Sequence, residues 1–344
     1  MTDLKEQNQT IGVKIGSTYS VSAVRGGLES PVTKVIKSCV SPVTDPDTNV
    51  INETYIGVER PDSVFPLDKG IIENDDRIPL TMAIINKLEA PSMSLVVAAI
   101  PALELVDGRE RLKKALRESL KPLKMVLSPE VYCGAVNALG YYEVGGKRKL
   151  KALHSDFLAL NLGSTTLEVL IALHGERKYL NAFTSVCGNK VDYELFDMLH
   201  NSFGKVIITL PQIREMKEQF NMAKPKEIIV NVMTQSEGVR RVPVQRVFQT
   251  VLEKYVLDVS NVLVSLLKNT LTPETIAQVF DTPIVLTGGM GNIPGLAEGI
   301  ERNMRELLHY EKITVLKQVD GHIAPALGAL TLANEINWDV IPYV

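Results

Sequence analysis

Three glycine-centred turns hold the residues in this chain best suited to chemistry. They are Gly16-Ser17-Thr18 in "VKIGSTYS", Gly163-Ser164-Thr165-Thr166 in "LNLGSTTL", and Gly288-Gly289-Met290-Gly291 in "VLTGGMGN". A glycine at a bend lets successive backbone N–H groups converge, and adjacent hydroxyls add donors, so such a turn can cradle phosphate oxygens. An ordinary hairpin would also place Gly and Ser at its turn, but the near-repetition of one phrase in each half of the chain favours the cradle. In the third turn the missing side chains would let a flat ligand or a phosphate lie against the main chain. It is not a dinucleotide fingerprint: the third glycine position holds Pro294, and no acidic residue ends a strand about twenty residues on. A tight strand-to-helix connection without a ligand is the alternative.

The elements around these turns follow from patterning. Each Gly-Ser phrase joins a β-favouring run ("IGVKI", "FLALNL") to a second alternating run ("SVSAV", "LEVLI"), which predicts two hairpins. In the first half, "KVIKSCV" reads as a strand, residues 41–70 as a loop-rich stretch, and "SLVVAAIP" as a buried strand ended by proline. A helix follows, with Leu112, Ala115, Leu116 and Leu120 on one face. "MVLS" then leads into the helix "PEVYCGAVNALGYY". The second half repeats the scheme, with a small inserted module around "LPQIREMKEQFNMA" and "EIIVNVM". A long helix comes next, its core stripe running through Val247, Val251, Tyr255, Val259, Val262 and Leu266. A chain of 344 residues suits two domains, here 1–150 and 151–344, with inserted subdomains at about 36–75 and 201–243.

Composition narrows the classes of function. A net charge of −3 gives no electrostatic case for nucleic acid. The basic run "KRKLK" (147–151) reads as a solvated loop rim. Cys39, Cys133 and Cys187 lack metal spacing and read as buried small hydrophobes in a reduced cytoplasmic setting. No His/Cys metal site is expected. The first residues lack the pattern of a signal peptide, and no run reaches the length of a membrane span, so the expectation is a cytoplasmic protein without a direct membrane anchor.

Two Gly-Ser/Thr hairpins, one opening each half, followed by a late "TGG" strand-turn-helix, resemble the actin-like ATPase superfamily. That resemblance implies an α/β fold in which two related domains flank a nucleotide cleft, each with a smaller inserted subdomain. Within the superfamily the chain is most similar to bacterial actins of the MreB and MamK type over nearly its whole length. "FPLDKGIIENDD", "TSVCGNKVDYEL", "MKEQF" and "DGHIAPALGALTLANE" carry the likeness. On this resemblance Gly16, Ser17 and Thr18 form the first phosphate turn, and Gly163, Ser164 and Thr166 the second. Gly288, Gly289 and Met290 form the adenosine turn, Lys217 and Glu218 reach base and ribose, and Gly188 begins the neighbouring helix. Glu130 stands where such proteins orient the attacking water; a first-turn glutamate favoured by the helix dipole is the plain alternative.

Two departures from that pattern matter. Family hairpins carry an aspartate just before the turn, whereas these positions hold Lys14 and Asn161, and Thr165 replaces a usual glycine. Both residues would border the nucleotide, with Mg2+ held mainly through the nucleotide and water, so hydrolysis of ATP to ADP would be slow. The leading expectation is a filament protein that binds ATP and assembles head-to-tail, serving magnetosomes or another intracellular cargo. Its partners would be itself, another actin-like protein or an organelle-associated adaptor. The alternatives are a pseudo-ATPase regulating another filament and a small-molecule kinase, and no aspartate is placed for the latter.

Overall fold

The computed structural model describes residues 9–25, 30–44, 51–60, 63–103, 106–203, 205–234 and 238–343. Apolar runs with β-branched residues make the first strands, β1 (Thr10–Ile15), β2 (Tyr19–Val24) and β3 (Val32–Lys37), an antiparallel meander. Strands β4 (Val40–Thr44) and β5 (Ile51–Ile56) then pair with each other. The 41–70 stretch is therefore not simply loop: the β-favouring residues Ile51, Thr54, Tyr55 and Ile56 make a strand, and Pro42 is tolerated because a two-stranded ribbon leaves its missing N–H unneeded.

Helix α1 (Ile78–Lys87) leads to β6 (Leu95–Ile100), α2 (Val106–Leu120) to β7 (Lys124–Pro129), and α3 (Glu130–Leu139) to a hairpin of β8 (Tyr141–Val144) and β9 (Lys147–Leu150). Lys147, Arg148 and Lys149 are exposed on that hairpin, so the basic rim is a strand in solvent. All of Leu112, Ala115, Leu116 and Leu120 are buried, as their spacing predicts.

The second half begins with β10 (Phe157–Leu162), β11 (Leu167–Leu173) and β12 (Glu176–Phe183), another antiparallel meander. Helix α4 (Gly188–Phe203) then leads to a three-stranded module of β13 (Lys205–Val206), β14 (Ile229–Thr234) and β15 (Gly238–Pro243), with α5 (Leu210–Gln219) beside it. The chain closes with α6 (Gln245–Thr270), α7 (Pro273–Val279), β16 (Ile284–Thr287), α8 (Leu296–Leu308), β17 (Val315–Lys317) and α9 (Ala324–Glu335). Residues 45–50 and 61–62 of the first expected insertion, and 204 and 235–237 of the second, lie outside the described residues.

The two five-stranded sheets have the same topology, β3-β2-β1-β6-β7 and β12-β11-β10-β16-β17, each a meander continued by two parallel strands. Parallel strands buried on both faces read as unbroken apolar runs, and "LVVAAI" is wholly buried. On α6 Val251, Tyr255, Val259 and Leu266 of that stripe are buried, together with Phe248, Leu252, Val256, Leu263 and Leu267, while Val247 and Val262 are only partly so. The buried arc is wider than the sequence stripe because the second sheet and α8 both cover this helix.

Helices α3 and α9 join the halves. Val131, Cys133 and Ala135 of α3 share one core with Val97 and Ala99 of the first sheet and Ala159 and Val285 of the second. Helix α9 lies across the first sheet, so close that a Cβ on Gly12 would fall 2.1 Å from the Ala326 carbonyl oxygen. Where α9 meets α3, a Cβ on Gly328 would fall 1.7 Å from the Cys133 carbonyl oxygen. Cys39, Cys133 and Cys187 are free and buried. Among the described residues no helix is long and apolar enough to cross a membrane.

Candidate nucleotide cleft

The two Gly-Ser phrases fold in the same way. The Gly16 N–H donates to the Tyr19 carbonyl at 3.2 Å, and the Gly163 N–H donates to the Thr166 carbonyl at 2.8 Å. Each turn tips its hairpin at the same end of its sheet, and the sheets face one another so that the tips meet. Ser17 Oγ and Thr165 Oγ1 are 3.0 Å apart, and Ser17 Oγ also accepts from the Gly70 N–H at 2.8 Å. Gly70 has φ +71°, and a Cβ there would strike the Pro101 ring at 2.1 Å, so only glycine fits.

One cleft collects most of the residues singled out by sequence. Lys14, Gly16, Ser17, Thr18, Glu130, Asn161, Gly163, Ser164, Thr166, Lys217, Glu218, Gly289 and Met290 all line it, together with Thr165. Gly188 and Gly288 stand behind its wall. The Gly188 N–H donates to the Gly163 carbonyl at 3.0 Å, and a Cβ on Gly188 would press on Ser164 and Met290 at 3.2 Å. Gly288 has φ +91°, and a Cβ would meet the Leu162 carbonyl oxygen at 2.3 Å. These two shape the wall by letting backbones approach. Gly289 differs: its backbone is right-handed helical, and a Cβ would meet nothing within 4 Å, so the missing side chain leaves room in the cleft itself.

The floor of the cleft is charged and nearly dry. Lys14 is only 7% exposed, so its side chain is held inside the protein and not in solvent. Its ammonium lies 3.8 Å from Glu130 Oε2 and donates to the His322 carbonyl at 3.4 Å. Glu130 Oε2 also accepts from Asn161 Nδ2 at 3.0 Å, and Asn161 Oδ1 accepts from the Thr287 hydroxyl at 3.3 Å. Burial pushes the Glu130 carboxyl above its usual range, opposed by Lys14 and Asn161. Glu130 does open α3, yet it faces this floor and not solvent, so the helix dipole alone does not account for it.

Sequence reading missed several contributors. Asp192 and Arg214 line the cleft beside Lys217, and His322 borders it against the Tyr19 ring at 5.3 Å. Helical spacing could have found Arg214, three residues before Lys217, and Asp192, four after Gly188. Glu168 gave no signal. It sits opposite Asn161 in the ladder, fully buried, and its two oxygens accept from the Ala102 and Val131 N–H groups, each at 3.0 Å. Burial, then the charge of Glu130, pushes its carboxyl up to about 8. The cross-strand pair Asn161 and Glu168 thus ties the second hairpin to the start of α3.

In donor set the floor suits a polyphosphate. Two turns of N–H and hydroxyl donors face each other with an ammonium between them, and Gly289 leaves space along the wall. Positions 14 and 161, where the resemblance implies acids, offer an amine and an amide, so neither can ligate Mg2+ as a carboxylate would.

Comparison with known proteins agrees with this architecture. MamK, in a double helical filament, superposes with a TM-score of 0.76 at 19% identity, over 95% of this chain and 99% of that one. MreB5 of Spiroplasma citri bound to ADP superposes with a TM-score of 0.75 at 17% identity, over 97% and 99%. The fold is therefore the actin-like α/β fold of the MreB and MamK type. In sequence, Salactin of Halobacterium salinarum is 29% identical over 352 residues, spanning 96% of this chain and 93% of its own. The profile of the Salactin family matches residues 8–337, from the first strand through the closing helix, and the chain belongs to that family.

Proposed function

We propose that this protein binds ATP in the cleft between its two sheets and assembles head-to-tail into cytoplasmic filaments. The observation that carries the reading is the meeting of the two Gly-Ser turns, with Ser17 and Thr165 at 3.0 Å and Lys14 beneath them. A ligand gripped by both turns links the halves, and this is the physical reason for a repeated phrase. ADP in MreB5 of Spiroplasma citri and the filament of MamK support the reading through fold. Lys217, Glu218, Gly289 and Met290 would border adenosine, while the turns and Lys14 would hold the phosphates. Mg2+ would be held through nucleotide oxygens and water.

Turnover is slow on this reading. The Glu130 carboxylate is engaged by Lys14 and Asn161, so an attacking water must compete for it. The same observation gives a pseudo-ATPase that acts on another filament its standing as the second reading. Domains of 1–150 and 151–344, with their inserted modules as the outer contact surfaces, complete the proposal. Sedimentation with and without ATP, with phosphate release followed in parallel, tests the function. Pelleting that requires ATP supports it, pelleting without turnover moves weight to an inert filament, and a monomer unchanged by ATP overturns it.

A further inference from the structure

A chain of charges crosses the mouth of the cleft, and apart from Lys217 it plays no part in the reading above. Lys37, the last residue of β3, donates to Glu59 Oε2 at 2.8 Å, and the other Glu59 oxygen accepts from Arg214 Nη1 at 2.8 Å. Arg214, on α5, reaches Asp192 Oδ2 with its Nε at 3.3 Å, and Asp192 Oδ1 meets the Lys217 ammonium at 2.5 Å. The Arg214 guanidinium also lies over the Phe65 ring, 5.6 Å from its centre. Glu59 follows the β4–β5 ribbon, whereas Arg214 belongs to the module of the second half, so their contact spans the two inserted modules.

Burial decides how to read this chain. Surface ion pairs contribute little, but here the side chains of Glu59 and Arg214 are 8% and 18% exposed. A desolvated charge left without a partner is costly, which would normally make such a contact a permanent weld. Each side has a spare partner, however. On separation Glu59 keeps Lys37 and Arg214 keeps Asp192, so neither half strands a bare charge. That arrangement has two satisfied states, closed and open, which is what a reversible device requires.

We propose that the Glu59–Arg214 pair is a latch across the cleft mouth that sets how fast nucleotide enters and leaves. The part concerning nucleotide rests on the binding reading above. Asp192 connects the latch to the ligand: it pairs at once with Arg214 and with Lys217, a residue bordering the adenosine position, so occupation of that position and closure of the mouth share one carboxylate.

The test uses the full chain with spin labels at Val58→Cys and Ile207→Cys, side chains about half exposed on the two modules. Without nucleotide, Glu59→Gln and Arg214→Gln are each expected to lengthen the label separation, and the double variant to lengthen it no further than the worse single. Arg214→Lys, which keeps the charge but not the two-partner reach, should fall between parent and Arg214→Gln. Release of a fluorescent ADP analogue should quicken about tenfold in each single variant, again without adding in the double. Unchanged separation in both singles, or strictly additive effects, overturns the latch. Should the parent bind no ADP analogue, the nucleotide reading falls together with the claim about exchange, while the label separations still decide whether this pair closes the mouth.

Discussion

Gly289 and Gly288 are neighbours with opposite reasons for being glycine, and the difference gives a clean experiment. Gly288 needs its left-handed backbone, but Gly289 is right-handed helical with open space beside it. Gly289→Val should therefore keep the fold, by circular dichroism, and lower ATP affinity at least tenfold by titration, because its methyls fill space the ligand needs. Lys14 is the second case. Its ammonium sits under both turns, so Lys14→Ala should weaken ATP binding about tenfold in the same assay. Lys14→Asp with Asn161→Asp should make binding magnesium-dependent and raise phosphate release, since two acids at hairpin ends can organise a hydrated cation. Glu168 bears on pH. Its folded form holds a proton up to about 8, whereas the unfolded chain releases it in the ordinary carboxylate range. The folded state binds more protons in that window, so this group makes stability fall as pH rises from about 4.5 to 8. Denaturation midpoints measured across that window should show the decline, and Glu168→Gln should flatten it.

Among the elements, helices α3 and α9 matter most, because both sheets are built onto their crossing. Gly328 meets the Cys133 carbonyl at a distance no Cβ can share. Gly328→Ala should force the helices apart and cost about 3 kcal/mol in chemical denaturation, near the upper range of overpacking. The hairpins were legible because a two-residue period and a Gly-Ser turn are local signals, and α2 because its four buried residues share a face. The β4–β5 ribbon was not, since Pro42 and the Asp/Asn-rich stretch after Thr44 imitate a loop. Nor did sequence show that α9, last in the chain, lies on the first sheet: helix periodicity tells which face is buried, not what buries it.

At the scale of the whole molecule the two halves repeat one topology and face each other across the cleft. An open head-to-tail contact needs complementary surfaces at opposite ends of such a subunit. The β15 edge offers Arg240 and Arg241, both exposed, on the inserted module of the second half. Reversing them together, Arg240→Glu with Arg241→Glu, should abolish ATP-dependent pelleting while leaving ATP affinity within about twofold of the parent. Normal pelleting would place the contact elsewhere.

By itself the sequence determined the duplicated hairpins, the third glycine turn, the α/β alternation and the absence of acids at positions 14 and 161, since each is written in neighbouring residues. It could name Lys14 as a departure but could not say where the ammonium points. Tertiary structure alone decided that Lys14 is buried against Glu130 and His322, that Ser17 meets Thr165, that Glu168 holds the start of α3, and that Glu59 reaches Arg214. Apart from Lys14 with Glu130, those contacts join residues from opposite halves of the chain, and no local period or spacing encodes the distance between two sheets. That distance is set by how closely α3 and α9 pack, through glycines whose necessity becomes visible only when their neighbours are in place.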